Sequence, residues 1–152
     1  MPNLAQELIS LAESGHTFNT YQVSRFSPSE IRLAIQTLMG EDRDALAYAL
    51  GDAGLALYPD SEDILAITAL LAVVREDWPQ GVDLLRQLID MQGDKATVFS
   101  HSMLIRSLRC NLDLAEAFEA AGIALAIYPD HPELLKEYDA LADALGLGAV
   151  QR

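Results

Sequence analysis

Residues 55–60 read LALYPD and residues 125–130 read LAIYPD, so the chain contains two nearly identical stretches. Their prolines, Pro59 and Pro129, lie 70 positions apart, and Gly93-Asp94 stands halfway between them, where a third Pro-Asp is expected. A period of about 34 to 36 residues is typical of proteins built from stacked helical repeats. These stretches therefore predict a tandem-repeat architecture.

Each period divides into two predicted helices. After Pro59-Asp60 the apolar residues recur at three- and four-residue steps, which is the period of a helix. Pro79 suits the first turn of a second helix, where its missing N–H group has no intrahelical partner. The same pattern predicts an all-α chain with helices over about residues 3–14, 28–39, 44–58, 62–75, 79–91, 96–109, 114–128 and 132–145.

Helix starts carry recognisable signals. Ser27-Pro28-Ser29-Glu30 reads as a capping box with proline at the first helical position. Acidic residues such as Asp60, Glu62 and Asp63 stand where the helix dipole favours negative charge. Many of the 23 acidic residues are therefore interpreted as start signals and solvated faces.

The chain is expected to divide into an N-terminal helix with an aromatic-containing arm, residues 1–26, and a repeat domain, residues 27–152. The arm, residues 16–26, contains Phe18, Tyr21 and Phe26 among Thr, Ser and Asn residues. One interpretation is a linker whose aromatic side chains close the end of the core. The alternative is an arm that lies along a groove or exchanges with a second protomer.

The composition narrows the function classes. The chain has 152 residues, of which 51% are hydrophobic, and its net charge is −13. Such a charge repels nucleic acids and anionic lipids, since phosphate binding requires clustered Lys and Arg. The single cysteine, Cys110, allows no internal disulfide and indicates a reducing compartment. With no Lys or Arg among the first 24 residues and no long apolar run, a cytoplasmic location is expected.

Catalytic, metal-binding and cofactor-binding residues are not predicted. His16, His101 and His131 are scattered along the sequence. The metal-binding motifs HExxH and CxxC do not occur, and there is no glycine-rich phosphate-binding loop. Ser100-His101-Ser102 places a histidine between hydroxyls, but neighbouring residues on a helix point apart. Cys110 lies near Arg106 and Arg109, a setting in which a thiol can be reactive, although a small turn residue is the more ordinary interpretation. The two arginines are expected to bind an acid on their own surface.

The repeated helix pair that ends in Tyr-Pro-Asp resembles the tetratricopeptide repeat. The resemblance covers residues 28–145, with repeats at 28–61, 62–95 and 96–131 and a closing helix. Pro59 and Pro129 match the terminal proline of that repeat, and Trp78 and Leu114 match a bulky residue that opens its second helix. Small residues match the positions where the paired helices cross: Ala47, Ala69, Gly81 and Ala117.

The resemblance implies a right-handed superhelix, or α-solenoid, whose first helices line a concave groove for a peptide or a partner helix. When the groove positions of the family are carried over one by one onto this sequence, the candidate groove residues are Arg32, Gln36, Met39, Ala66, Leu70, Val73, Ser100 and Leu104. The alternative is that Leu70, Val73 and Leu104 belong to the core. Members of the family that hold carboxylates use Lys, Arg and Asn at these positions, so that ligand class is not expected here.

The sequence therefore predicts a non-enzymatic module that binds another protein, as an adaptor, scaffold or chaperone, without a cofactor. The first alternative is a structural homo-oligomer, such as a homo-dimer, assembled through the repeats or the N-terminal arm. The second alternative is a cytoplasmic chaperone of a bacterial type III secretion subunit. That narrower resemblance rests on the stretch from Tyr58-Pro59-Asp60 to Val74.

Overall fold

The computed structural model describes Ser10 and residues 23–147. All regular structure in these residues is helical, which confirms the predicted all-α fold of helix-hairpin repeats. Seven helices follow one another in this part of the chain: α1 (Pro28–Gly40), α2 (Asp44–Leu57), α3 (Glu62–Val74), α4 (Trp78–Gln92), α5 (Val98–Cys110), α6 (Leu114–Ile127) and α7 (Pro132–Ala144). A short 3-10 helix, Gly93–Lys95, follows α4. The predicted helix at 3–14 and most of the arm lie outside the described residues.

The chain forms two compact units, which we call unit 1 (Met1–Leu71) and unit 2 (Ala72–Arg152). In unit 1, α1 packs against α2. In unit 2, α5 packs against both α4 and α6, and α6 packs against α7. We call α1, α3 and α5 the A helices, and α2, α4 and α6 the B helices.

Helix α1 begins as the sequence predicts. The Ser27 hydroxyl accepts the N–H of Glu30 at 3.2 Å, and the Glu30 carboxylate accepts the N–H of Ser27 at 2.9 Å. This capping box satisfies two of the N–H groups that a helix start leaves without partners. Just before it, Val23 and Phe26 are buried. These two residues therefore belong to the core of unit 1.

The tyrosine of the repeated stretch closes each of two hairpins. The Tyr58 hydroxyl donates to the Phe26 carbonyl at 2.7 Å, and the Tyr128 hydroxyl donates to the Ala96 carbonyl at 2.6 Å. Each bond joins the end of a B helix to the residue before the N-cap of the preceding A helix. Gln92 occupies the corresponding position in α4, and its Oε1 is buried without a hydrogen-bond partner.

The turn inside each helix pair has the same backbone geometry. Asp42, Glu76 and Leu112 have φ angles of +59°, +59° and +65°. In each case the backbone N–H of the following residue donates a hydrogen bond of 2.8 Å to the carbonyl of the residue five positions before that donor. A left-handed residue at the end of a helix satisfies carbonyls that would otherwise lack a donor.

The repeats are not equally spaced. Helices α1, α3, α5 and α7 begin at residues 28, 62, 98 and 132, which are 34, 36 and 34 positions apart. The two additional residues fall where α4 continues to Gln92 and the 3-10 helix replaces Tyr-Pro-Asp. The predicted boundary between residues 95 and 96 is therefore wrong by two residues. This shift decides which side chains of α5 face outward.

Candidate functional site

The predicted groove residues of unit 1 lie on outward-facing parts of α1 and α3. Gln36 is exposed, Leu70 is 37% exposed, and Met39 and Ala66 are half-buried. The Arg32 guanidinium donates to the Asp63 carboxylate at 2.9 Å, so it is already engaged within the unit. Both partners of this ion pair are partly exposed, and its contribution to stability is therefore small.

The predicted groove residues of unit 2 are buried. Val73, Ser100 and Leu104 are each less than a tenth exposed. Ser100 lies in the first turn of α5, where its N–H donates to the Thr97 hydroxyl at 3.1 Å. For Val73 and Leu104 this burial agrees with the alternative that they belong to the core.

The spacing between α3 and α5 explains why the predicted residues of α5 are buried. The prediction carried a spacing of 34 residues from α3 to α5, whereas the helices begin 36 residues apart. The residues that correspond to Ala66 and Leu70 are therefore Ser102 and Arg106. Arg106 thus takes the place that the prediction gave to Leu104, so a cationic side chain occupies the α5 position that corresponds to Leu70.

Helices α5 and α7 border a recess of about 450 Å³, which we call the α5/α7 recess. Phe99 is 63% exposed at its edge. The Arg106 guanidinium lies 6.0 Å from the centre of the Trp78 ring, a distance at which the ring attracts the cation. The residues around the recess include Phe99, Ser102, Met103, Arg106, His131 and Glu133.

Charged side chains of both signs continue along α5 and α7 beside this recess. Arg106, Arg109 and Lys136 line an adjoining depression of about 320 Å³ together with Glu133 and Glu137. The Arg109 guanidinium donates to the Glu137 carboxylate, which confirms the prediction that this arginine binds an acid on its own surface. The α5/α7 recess thus combines an exposed aromatic ring with one cationic side chain, Arg106, and one carboxylate, Glu133.

Sequence reasoning missed the role of Phe99, Ser102 and Arg106 as outward-facing residues of α5. A signal was present in the spacing of Trp78 and Leu114, which are 36 positions apart. Both residues begin a B helix. Aligning the B helices instead of the Pro-Asp pairs would have placed these three side chains on the outer face.

Two of the residues considered for chemistry, His101 and Cys110, lie on α5. His101 is 2% exposed, its ring lies edge-on to Tyr128 with centroids 6.4 Å apart, and burial lowers its pKa. Cys110 is exposed at the end of α5. Within Ser10 and residues 23–147, no three or more His, Cys, Asp or Glu residues form a group that could hold a metal ion. In that same part of the chain, no helix has the length and apolar character needed to cross a membrane.

Comparison with known proteins identifies the fold. A MamA AMB-1 structure has a TM-score of 0.75 at 17% identity, covering 96% of this chain and 82% of that one. A MamA MSR-1 structure has a TM-score of 0.73 at 16% identity, covering 95% and 86%. No protein-family model and no curated protein matches the sequence. The chain therefore has a tetratricopeptide-like helical-repeat fold, which it shares with MamA.

Proposed function

We propose that this chain is a non-enzymatic protein-binding module. The A helices and α7 expose side chains that bind a peptide or an amphipathic helix of another protein. The repeat fold supports this function, because its outward-facing helices supply an ordered surface. The observation that carries the proposal is the exposure of Phe99 beside the α5/α7 recess.

The chemistry of the α5/α7 recess favours a partner of a particular kind. Phe99 is 63% exposed and lies beside Met103, and an exposed aromatic ring at a concave surface is typical of an interaction site. Arg106 adds a positive charge whose planar guanidinium can bind a carboxylate through two hydrogen bonds. The partner segment is therefore expected to carry an apolar side chain near an acidic group.

The surface of unit 1 is a second place where the same function can act. Gln36 on α1 and Leu70 on α3 occupy corresponding positions, and both are exposed. Ala66, also on α3, is half-buried. Because Arg32 is engaged by Asp63, this surface offers less free positive charge than α5 does. Unit 1 is therefore suited to a less polar part of the partner.

The test is site-specific photo-crosslinking in the native host. The crosslinking amino acid p-benzoylphenylalanine replaces Phe99 in one variant and Leu112 in the matched control. Leu112 is 84% exposed in the turn between α5 and α6, so it is at least as accessible as Phe99. A distinct protein should crosslink at position 99 and not at position 112. Adding Arg106→Glu should then reduce the yield by at least about tenfold, since it places a like charge opposite the partner's acid.

The identity of the crosslinked protein distinguishes the finer hypotheses. A second copy of this chain would indicate the structural homo-oligomer, and a small secreted subunit would indicate the type III secretion chaperone. Equal crosslinking at both positions, or none at position 99, would contradict a binding role for the α5/α7 recess.

A further inference from the structure

A second cleft of unit 2 lies among α4, α5 and α6, on a different face of α5 from the α5/α7 recess. Its volume is about 440 Å³, and we call it the α4/α5/α6 cleft. Cavities of this size accommodate a small ligand or a few side chains of a partner. The protein-binding function proposed above does not use this cleft.

The cleft has an apolar floor with one exposed aliphatic side chain. Leu104 and Ala120 are buried at its base, whereas Ile123 is 53% exposed at its edge. Ile89 adds a half-buried side chain from α4. A partner that covers Ile123 would remove apolar surface from water, which is favourable in proportion to the area buried.

The edge of the cleft is acidic. Asp90, Glu116 and Glu119 line it together with Arg86, whose guanidinium donates to the Glu116 carboxylate at 2.9 Å. Since Arg86 neutralises Glu116, the charges of Asp90 and Glu119 dominate the edge. The cleft therefore attracts a cation, and the overall charge of −13 acts in the same direction.

His101 supplies an observation that is independent of the acidic residues. It lines the cleft, is 2% exposed, and its Nε2 is buried without a hydrogen-bond partner. A buried polar atom without a partner is costly, and such atoms are therefore uncommon. Burial lowers the pKa of His101, so the ring is neutral at pH 7 and does not repel a cation.

We propose that the α4/α5/α6 cleft binds a protein segment in which a lysine or arginine lies next to an aliphatic side chain. The aliphatic group packs against Ile123 and Leu104, and the cation lies between Asp90 and Glu119. This preference is opposite in charge to that of the α5/α7 recess. The two surfaces of unit 2 can therefore bind different segments without competing.

The test measures fluorescence anisotropy of a labelled peptide of alternating leucine and lysine with the full chain. One control peptide has serine in place of leucine, and a second has glutamate in place of lysine. Ile123→Ala and Glu119→Lys should each weaken binding of the leucine–lysine peptide by at least about tenfold.

The matched control variants are Leu33→Ala and Asp52→Lys, which lie on α1 and α2 in unit 1. Leu33 has the same exposure as Ile123, 53%, and Asp52 is exposed like Glu119. The controls make the same change in apolar surface and charge, so they should alter affinity by less than about twofold. Equal weakening by cleft and control variants, tight binding of the serine–lysine peptide, or no binding of the leucine–lysine peptide would overturn the proposal.

A second readout locates the bound peptide. The imidazole signals of His101 and His131 are followed by NMR during the same titration. His101 lines the α4/α5/α6 cleft, whereas His131 lines the α5/α7 recess. A shift of His101 alone is the expected result. A shift of His131 alone would place the peptide at the other surface, which would refute the cleft but leave the proposed function intact.

Discussion

Helices α2 and α6 end alike, whereas α4 ends differently. Tyr58 and Tyr128 each donate a hydrogen bond to a carbonyl 32 residues earlier in the chain. Gln92 stands at the corresponding position of α4 and buries an amide oxygen without a partner. The comparison shows that Tyr-Pro-Asp closes a helix pair, and that where it is missing the chain lengthens by two residues.

Helices α2 and α4 also differ in the size of their interior side chains. At the seventh and tenth positions after the first helical residue, α2 has Gly51 and Gly54, whereas α4 has Leu85 and Leu88. A Cβ atom at Gly54 would lie 3.2 Å from Ile31 Cγ2 and 3.3 Å from Ile64 Cδ1. Helix α2 therefore needs small residues for close packing, whereas α4 fills its surroundings with large ones.

The largest effect is expected in α4. Leu85 is fully buried, so Leu85→Ala removes apolar contacts and leaves a cavity, which should lower the free energy of unfolding by about 2–5 kcal/mol. Ala121→Gly at the corresponding position of α6 should cost about 1 kcal/mol through helix propensity alone. Urea denaturation followed by circular dichroism measures both. An equal loss in the two variants would contradict the difference in packing between the helices.

A smaller effect is expected from the tyrosine hydroxyls. Tyr58→Phe and Tyr128→Phe each remove one hydrogen bond and should each lower the free energy of unfolding by about 1 kcal/mol. The two bonds lie in separate units, so the losses should add in the double variant. Tyr138→Phe is the control, because that ring stacks on Phe118 with centroids 4.6 Å apart. If all three variants match the wild type, the hydroxyls do not close the hairpins.

The smallest effect is a pH dependence confined to unit 2. Burial lowers the pKa of His101 below its ordinary value of 6.5, so the unfolded chain takes up a proton before the folded chain does. Stability should therefore fall as pH decreases through 6.5 and level off below the lowered pKa. The variant His101→Leu carries the residue that α3 has at the corresponding position, Leu65. It should remove the dependence of the free energy of unfolding on pH in this range. Urea denaturation between about pH 7.5 and 5.5 compares the two proteins, and parallel curves would refute the assignment.

Much of the fold could be predicted because its signals are local. The capping box at Ser27 and Glu30 forms between residues three positions apart, and the helical period of α3 is visible in its own apolar residues. On α1 and α3, where a spacing of 34 residues holds, the predicted groove residues are exposed or half-buried except Val73, which is buried. On α5 the same spacing selected Ser100 and Leu104, which are buried.

The sequence by itself determined the helical class, the helix starts and the repeat, since these follow from residue spacing and hydrogen bonds within a few positions. The sequence also carried a signal for the outward position of Ser102 and Arg106, in the 36-residue spacing of Trp78 and Leu114, and the tertiary structure decided between this spacing and the spacing of 34 residues. A shift of two residues rotates a helix by about 200°, which moves an outward side chain to the buried face. The structure alone also brought His101 beside the acidic edge of the α4/α5/α6 cleft, because residues from three helices meet there.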